Sequence, residues 1–264
     1  MELKLKDRTA FITGASRGIG AAIAEAYAAE GMHLALFARD VARCEALAEK
    51  LKSRHAAARM VVVALDFEHP PATIKDAVVT AVRQMGGLDI LVNCAGGAYR
   101  AELSDISDET WEKQFAVKPF GLVRMTREVL PYLKKSNQGR VINISGTRGR
   151  EPSWFSVVSG PINAATLSIT KALAIQFGQY GITVNAICPG STDTRRWAET
   201  VKLTMEKLGV SAEEATKHLL LEVPMGRVVM PEDIADLAVF LASARAGMIT
   251  GSSINVDGGR TRSI

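Results

Sequence analysis

The chain has little cysteine, no long apolar run and no strong excess of one charge. Its 264 residues include three cysteines, far apart and without a C-x-x-C pair, so disulfides and a structural zinc site are not expected. No apolar stretch approaches the ~20 residues of a membrane-spanning helix, and the first residues lack the apolar core of a signal peptide. We therefore expect a cytoplasmic protein that does not interact with a membrane.

The charge is nearly balanced, with 32 Lys and Arg against 28 Asp and Glu. The basic residues are interspersed with acidic ones, which argues against a nucleic-acid-binding surface and leaves small charged ligands open. The four histidines form no cluster, so no metal site is predicted. A composition that is 47% hydrophobic is typical of a globular protein with a real core.

Short apolar segments alternate with amphipathic ones from end to end, the rhythm of buried parallel strands joined by helical crossovers. No Pro/Gly/Ser-rich linker or internal repeat interrupts the pattern, so we expect a single domain over residues 1–264. Seven strands that fit one sheet are predicted at Thr9–Thr13, Leu34–Ala38, Met60–Leu65, Asp89–Asn93, Arg140–Ser145, Thr183–Cys188 and Ser253–Val256.

Helical crossovers are expected at about 40–53, 72–85, 108–134, 161–179 and 231–243. The stretch around 195–222 is longer than a connection needs, and we interpret it as a helical insertion that covers a ligand site as a lid. Its apolar residues also fit ordinary helix packing.

The first predicted strand leads through a glycine loop directly into a helix. Gly14 permits the tight turn, Gly18 lets the backbone approach a pyrophosphate, and Gly20 lets helix and strand pack closely. Free N–H groups at the start of the helix would face the anion. The alternative is a plain strand-to-helix turn.

The glycine loop and four later segments together resemble the short-chain dehydrogenase/reductase family over almost the whole chain. The segments are Thr13–Gly20, Asn93–Gly96, Pro189–Thr194, Ile249–Gly251 and Val256–Gly259. The resemblance implies an α/β fold, namely a single-domain Rossmann fold with a doubly wound, seven-stranded parallel sheet and helices on both faces. It also implies an NAD(P) cofactor, a small-molecule substrate and a homotetramer or homodimer.

The cofactor is expected to be NADP(H) in preference to NAD(H). The family's NAD-preferring members carry an acid where this chain has Ala38, and Arg39 follows it. Arg39 and Arg17 would clamp a 2′-phosphate; the alternative is a surface ion pair of Arg39 with Asp40. Cofactor-binding positions predicted from the loop and the resemblance are Gly14, Ser16, Arg17, Gly18, Ile19, Gly20, Arg39, Asp66, Asn93, Ala95, Gly96, Pro189, Gly190 and Thr194.

The positions of the family's Ser-Tyr-Lys-Asn catalytic tetrad carry other residues here. With the register fixed by residues 167–174, the Tyr position falls on Ser159 and the Lys position on Asn163. The Ser position falls on Gly146 and the Asn position on Lys118. A serine hydroxyl is far less acidic than a phenol, so the family's usual proton relay should fail.

Two local features mark the replaced positions. Lys118 precedes Pro119 in a predicted helix, where proline removes a hydrogen bond and distorts the helix. The lysine then either points into the cavity, where burial lowers its pKa, or stays in solvent. Ser159-Gly160-Pro161 predicts a helix start, with Ser159 or Gly160 as the N-cap and free N–H groups that favour an anionic ligand. Arg148 and Arg150 either add positive charge there or stay solvated.

Three functions are compatible with these observations. The first is an NADP(H)-binding oxidoreductase acting on a carbonyl or alcohol, with Lys118, Ser159 or a bound water as proton donor and Asn163 beside them. The second is a catalytically silent NADP(H)-binding sensor or partner subunit. The third is a non-redox lyase or isomerase on the same fold.

Overall fold

The computed structural model describes residues 2–69, 71–97, 99, 101–153 and 156–263. Its strands form one parallel sheet in the order β3-β2-β1-β4-β5-β6-β7. The strands are β1 Thr9–Thr13, β2 His33–Ala38, β3 Met60–Ala64, β4 Ile90–Asn93, β5 Arg140–Ile144, β6 Thr183–Pro189 and β7 Ser253–Val256. All seven predicted strands are confirmed, with ends that differ by at most one residue.

Helices connect the strands and cover both faces of the sheet. They are α1 Gly18–Ala29, α2 Val41–Arg54, α3 Pro71–Met85, α4 Asp108–Phe115, α5 Gly121–Leu133, α6 Ser159–Phe177, α7 Arg195–Leu208, α8 Ala212–Leu220 and α9 Pro231–Ala242. The predicted insertion around 195–222 corresponds to α7 and α8. In the described ranges, no helix is both long and apolar enough to cross a membrane.

Two apolar layers form because successive residues of a buried strand face opposite sides of the sheet. Ile12 of β1 belongs to the layer beneath α1, α2 and α9, whereas its neighbour Phe11 belongs to the layer beneath α3, α5 and α6. This explains why the strands are continuous apolar runs rather than alternating ones. The predicted doubly wound α/β fold is confirmed.

The chain order reverses between β1 and β4, since β2 lies on one side of β1 and β4 on the other. In an open parallel sheet, ligands bind in the crevice outside the carboxyl ends of the strands at such a point. The glycine loop follows β1, and the Asn93–Gly96 segment begins at the last residue of β4. Both segments therefore lie at this crevice.

Tyr27 fastens α1 to α9 through a fully buried hydroxyl that donates to the Ala238 carbonyl oxygen at 3.1 Å. We expect Tyr27→Phe to lower the free energy of unfolding by about 1 kcal/mol, because one neutral hydrogen bond is lost without a change in packing. Denaturant unfolding measures this effect. Tyr180→Phe, at an exposed ring, is the control. Equal unfolding free energies for the two variants would contradict the assignment.

Candidate active site

The loop after β1 leaves room for a ligand close to the backbone. Gly14 has a φ of +69°, and a Cβ there would lie 2.9 Å from the Ala95 Cα. A Cβ on Gly20 would collide with the Gly14 carbonyl oxygen, and one on Gly18 would approach the Thr194 methyl group at 3.3 Å. These contacts bring the helix start, β1 and the loops after β4 and β6 together around a cradle that fits a dinucleotide's phosphates.

Thr13 ties the loop after β4 to the end of β1. Its hydroxyl accepts from the backbone N–H groups of Cys94 and Ala95, at 3.0 and 3.1 Å. Asn93 is buried, and its amide donates to Asn143 Oδ1 of β5 at 2.9 Å. Asn93 therefore contributes to the rigidity of the sheet end.

On the β6 side, Pro189 ends the strand and a Cβ on Gly190 would lie 2.8 Å from the Asp257 Cβ. The Thr194 hydroxyl donates to the Thr192 carbonyl oxygen at 3.3 Å. The structure thus brings the two predicted segments on β1 and β6 together through the contact of Gly18 with Thr194.

The charged groups near the end of β2 do not form the ion pair between Arg39 and Asp40 that the sequence left open. Arg39 pairs with Glu68 at 3.0 Å rather than with Asp40. Asp40 is the N-cap of α2 and accepts from the Arg43 backbone N–H. The Arg39 side chain is 61% exposed and Arg17 is exposed as well, so both are accessible to a ligand. Asp66 accepts from the Glu68 backbone N–H at 3.0 Å.

Lys118 lies in a π-helical turn, Ala116–Phe120, between α4 and α5. Pro119 has no N–H to donate to the preceding helical turn, and a wider turn accommodates its ring. The predicted helix interruption at Pro119 is confirmed. The side chain is buried rather than solvated, and its stem passes Gly96 so closely that a Cβ there would lie 3.2 Å from three of its carbons.

The Lys118 ammonium has two fixed acceptors. Nζ donates to the Ser145 carbonyl oxygen at 2.9 Å and to Asn163 Oδ1 at 2.6 Å. Burial, together with the charge of Arg196, lowers the pKa of Lys118 to about 8, against a smaller opposing influence of Cys94 and Cys188. Burial also raises the pKa of both cysteine thiols, so they stay neutral near pH 7.

Asn163 is held from two more directions. The Ser145 hydroxyl donates to its backbone carbonyl oxygen at 3.1 Å, and a Cβ on Gly146 would lie 2.9 Å from its Nδ2. The positions of Lys118, Gly146 and Asn163 are therefore coupled by direct contact. Sequence analysis did not identify Ser145; its place directly before Gly146 at the end of β5 was the available signal.

The predicted N-cap role of Ser159 and Gly160 is wrong. Helix α6 begins at Ser159, its N-cap is Val158, and no side chain caps it. Gly160 N–H already donates to the Ser156 carbonyl oxygen and Ile162 N–H to that of Val158. Since Pro161 has no N–H, little of this helix end is free to bind an anion. Ser159 is buried on α6, four residues before Asn163.

The two arginines after β5 make contacts within the protein. Arg150 donates to the Ser253 carbonyl oxygen at 2.8 Å and is exposed. Arg148 donates to the Glu151 carbonyl oxygen at 3.4 Å. A second residue that sequence analysis did not identify is Arg196, whose guanidinium packs on Gly97 beside the Lys118 stem.

We expect Gly146→Ala to lower the free energy of unfolding by about 1–3 kcal/mol, because the new methyl group displaces the Asn163 amide from a tightly packed site. Gly160→Ala is the matched control, since its Cβ would meet no atom closer than 3.5 Å. Denaturant unfolding measures both variants. A Gly146→Ala protein as stable as Gly160→Ala would contradict the packing described above.

Comparisons with known proteins agree with this architecture. A family profile described as enoyl-(acyl carrier protein) reductase matches residues 14–261. NADPH-dependent reductase BacG of Bacillus subtilis (strain 168) is 33% identical over 262 residues, which cover 98% of this chain and 100% of that protein. Galactitol 2-dehydrogenase of Agrobacterium fabrum (strain C58 / ATCC 33970) is 36% identical over 260 residues, which cover 97% of this chain and 98% of that protein.

Solved structures are similar over the whole chain. L-sorbose reductase from Gluconobacter frateurii, complexed with NADPH and L-sorbose, superposes with a TM-score of 0.93 at 33% identity, covering 100% of both chains. YwfH, an NADPH-dependent reductase involved in bacilysin biosynthesis, superposes with a TM-score of 0.92 at 32% identity, covering 98% of this chain and 100% of that one. This chain belongs to the short-chain dehydrogenase/reductase family.

Proposed function

We propose that the protein is an NADPH-dependent oxidoreductase that reduces a carbonyl substrate to an alcohol, with Lys118 as the proton donor. The observation that carries this proposal is the buried Lys118 ammonium, bonded to Asn163 and the Ser145 carbonyl oxygen at the carboxyl ends of the strands. In this proposal the Ser-Tyr-Lys-Asn tetrad of the family is replaced as a set.

The replacement exchanges two residue types between two elements. The family resemblance puts an asparagine at position 118 and a lysine at position 163, whereas this chain has Lys118 and Asn163. The two side chains are in direct contact at 2.6 Å, so an ammonium and an amide still lie together at the site. Gly146 supplies the space that the Asn163 amide needs. Such coordinated packing supports a retained chemical role over loss by drift.

The number of described acceptors around Lys118 supports the choice of one particular proton as the one that is transferred. A charged ammonium has three N–H groups, and Asn163 and the Ser145 carbonyl accept two of them. The third is left for a substrate oxygen. After its transfer, the neutral amine keeps both remaining hydrogen bonds, so proton loss disturbs neither acceptor. A pKa of about 8 is well suited to such a general acid near neutral pH.

The step balances as one hydride and one proton added to a C=O group, which becomes CH–OH. When bound, NADPH supplies the hydride. Lys118 supplies the proton to the oxygen, and solvent restores the ammonium afterwards. Asn163 is a positioning residue that acts through Lys118. Ser159, whose hydroxyl is too weak an acid to replace the family's tyrosine, is proposed as a polar contact to the same oxygen.

The proposed cofactor site uses the glycine loop for the phosphates and the residues after β2 and β3 for the adenosine half. Gly14, Gly18 and Gly20 leave the space already described. Arg39, exposed and preceded by Ala38 instead of an acid, would bind the 2′-phosphate of NADP. We therefore propose that NADPH is preferred over NADH.

We also propose that α7 and α8 form a lid over the substrate and that the protein is a cytoplasmic homotetramer or homodimer. The unpaired cysteines fit a reducing compartment.

The proposed assembly rests on exposed apolar side chains on or next to α5 and α6, where a second copy would cover them. These side chains are Phe120, Ile175 and Tyr180. Light scattering of the purified protein measures the assembly.

Replacing Lys118 tests the proton donor. We expect Lys118→Met to lower the rate of carbonyl reduction by about 10²–10⁴-fold while NADPH binding is unchanged, because only proton transfer is removed. Reduction by the parent should fall as pH rises through about 8, where Lys118 loses its proton, and alcohol oxidation should rise there. Steady-state rates against pH, together with NADPH fluorescence titration, measure these effects.

Lys171→Met, at an exposed lysine of α6, is the control and should keep the parent's rates and pH profile. Turnover by Lys118→Met equal to the parent's would remove Lys118 as donor. NADPH binding with no turnover of any carbonyl by the parent would instead favour a silent sensor or partner subunit. Conversion of a substrate without added cofactor would favour a lyase or isomerase.

Arg39→Ala tests the cofactor preference. We expect it to weaken NADPH binding by about 10–100-fold and to leave NADH binding unchanged, because only NADP carries the 2′-phosphate. Arg43→Ala, an exposed arginine paired with Asp40 one turn into α2, is the control. An equal loss of binding affinity for NADPH and NADH, or an unchanged affinity for NADPH, would contradict the assignment. Equilibrium fluorescence titration gives the dissociation constants.

A further inference from the structure

Two consecutive arginines at the start of α7 have different environments. Arg195 Nε pairs with Glu199 Oε1 at 3.0 Å, and its side chain is 72% exposed. The Arg196 guanidinium turns inward and is half-buried against Gly97, in the loop after β4. Neighbouring residues of identical chemistry thus differ in one respect, which is whether they face solvent or the crevice.

The Arg196 guanidinium approaches Gly97 so closely that a side chain at that position would displace it. A Cβ on Gly97 would collide with Nη2 and would lie 3.2 Å from both Cζ and Nη1. Gly96, the preceding residue, has the Lys118 stem at the same close range. Because the two glycines are consecutive, both basic side chains pack on the same short stretch of the loop after β4, and the charge of Arg196 acts on Lys118.

Arg196 forms no ion pair in the part of the chain that the structure describes, although the charge of Glu199 acts on it from nearby. Over the described ranges, its guanidinium makes neither a hydrogen bond nor an ion pair, and the nearby Glu199 carboxylate is taken by Arg195. Burial lowers the pKa of Arg196, and the positive charge of Arg196 in turn lowers that of Lys118. A half-buried guanidinium without a partner costs free energy that a bound anion would recover.

We propose that Arg196 binds a carboxylate of the substrate, so that the protein acts on short oxo acids whose carboxylate lies a few bonds from the carbonyl group. This inference rests on the proposed function, since Lys118 marks where the carbonyl oxygen lies. The planar guanidinium fork matches a carboxylate in two parallel hydrogen bonds. Because Lys118 and Arg196 pack on consecutive glycines of one loop, we infer a substrate in which only a few bonds separate the carbonyl group from the carboxylate.

The competing occupant is a phosphate of the cofactor, because Arg17 of the glycine loop also contributes to the positive field at Arg196. The cofactor's phosphates already have the cradle of Gly14, Gly18 and the start of α1. Arg196 instead packs on the loop after β4, beside Lys118. A substrate group is therefore the better match, and the two occupants predict different effects on NADPH binding.

The experiment compares acids with their neutral esters. NADPH oxidation is measured with 2-oxobutanoate and 3-oxobutanoate, each beside its methyl ester, for the parent and for Arg196→Leu, Gly97→Ala and Lys202→Leu. Gly97→Ala displaces the guanidinium without removing its charge, and Lys202→Leu removes an exposed cation further along α7 without freeing Glu199. NADPH dissociation constants and melting temperatures are measured for each protein.

We expect the parent to prefer at least one acid over its ester in kcat/KM. Arg196→Leu should lower that preference by about 10–100-fold, the range for a charge-assisted bidentate contact. Gly97→Ala should also lower the acid preference, Lys202→Leu should keep it, and NADPH binding should stay unchanged in every variant. No preference in the parent, a preference that survives in Arg196→Leu, or weaker NADPH binding with the preference intact would overturn the inference.

Binding separates this inference from the proposed function. If the parent reduces none of the four compounds, the same acids and esters are titrated into its NADPH complex and followed by nicotinamide fluorescence. Acid binding that is lost in Arg196→Leu and kept in Lys202→Leu would support the carboxylate site even where the reductase proposal fails. Acid binding that is absent, or that is equal in Arg196→Leu, would overturn it.

Discussion

The site depends on a buried lysine, Lys118, that forms no ion pair with a described carboxylate and is satisfied by hydrogen bonds instead. An ammonium removed from water without partners is too costly to keep its charge near neutral pH, and each hydrogen bond to a charged group returns about 1.5–3 kcal/mol. Asn163 and the Ser145 carbonyl oxygen supply two such bonds. Their number leaves Lys118 poised between its charged and neutral forms. The same contacts fix the start of α6 against the end of β5.

The surroundings of this lysine follow from that requirement. The Asn163 amide needs the space at Gly146, and the lysine stem needs the space at Gly96. The π-helical turn at Pro119 lies where the side chain leaves the helix for the crevice. Each of these features, taken alone, would not indicate a buried lysine. Together they make one packed unit, which is why a change at any of its positions is expected to affect the others.

Electrostatics divide the crevice into two ends. Arg39 and Glu68 form an exposed pair near the end of β2, and Lys113 of α4 also reaches Glu68, at 2.9 Å. At the other end, Arg196 lies inward, next to the Lys118 stem. The first end has an acid beside its arginine, whereas Arg196 faces the crevice with its nearest acid committed elsewhere. This asymmetry supports a cofactor at one end and an anionic substrate at the other.

Much of this architecture was readable in the sequence, because it depends on local rules. Apolar runs predicted all seven strands, the long connection predicted α7 and α8, and the glycine spacing predicted the cradle after β1. Lys118-Pro119 predicted a break in the helix at that point. The cap of helix α6 was predicted less exactly than the strands. The sequence favours Ser159 or Gly160 as the N-cap, whereas backbone hydrogen bonds to the carbonyl oxygens of Ser156 and Val158 make Ser159 the first helical residue.

Only the tertiary structure decided which side chains meet. Lys118 and Asn163 are 45 residues apart, and no periodicity tells whether a lysine in a helix is solvated or buried against a distant amide. Arg195 and Arg196 are identical in sequence terms, yet one pairs in solvent and the other packs on Gly97. The sequence determined the fold because strand and helix patterns are local. The chemistry of the crevice was decided by packing between segments that only the closed sheet brings together.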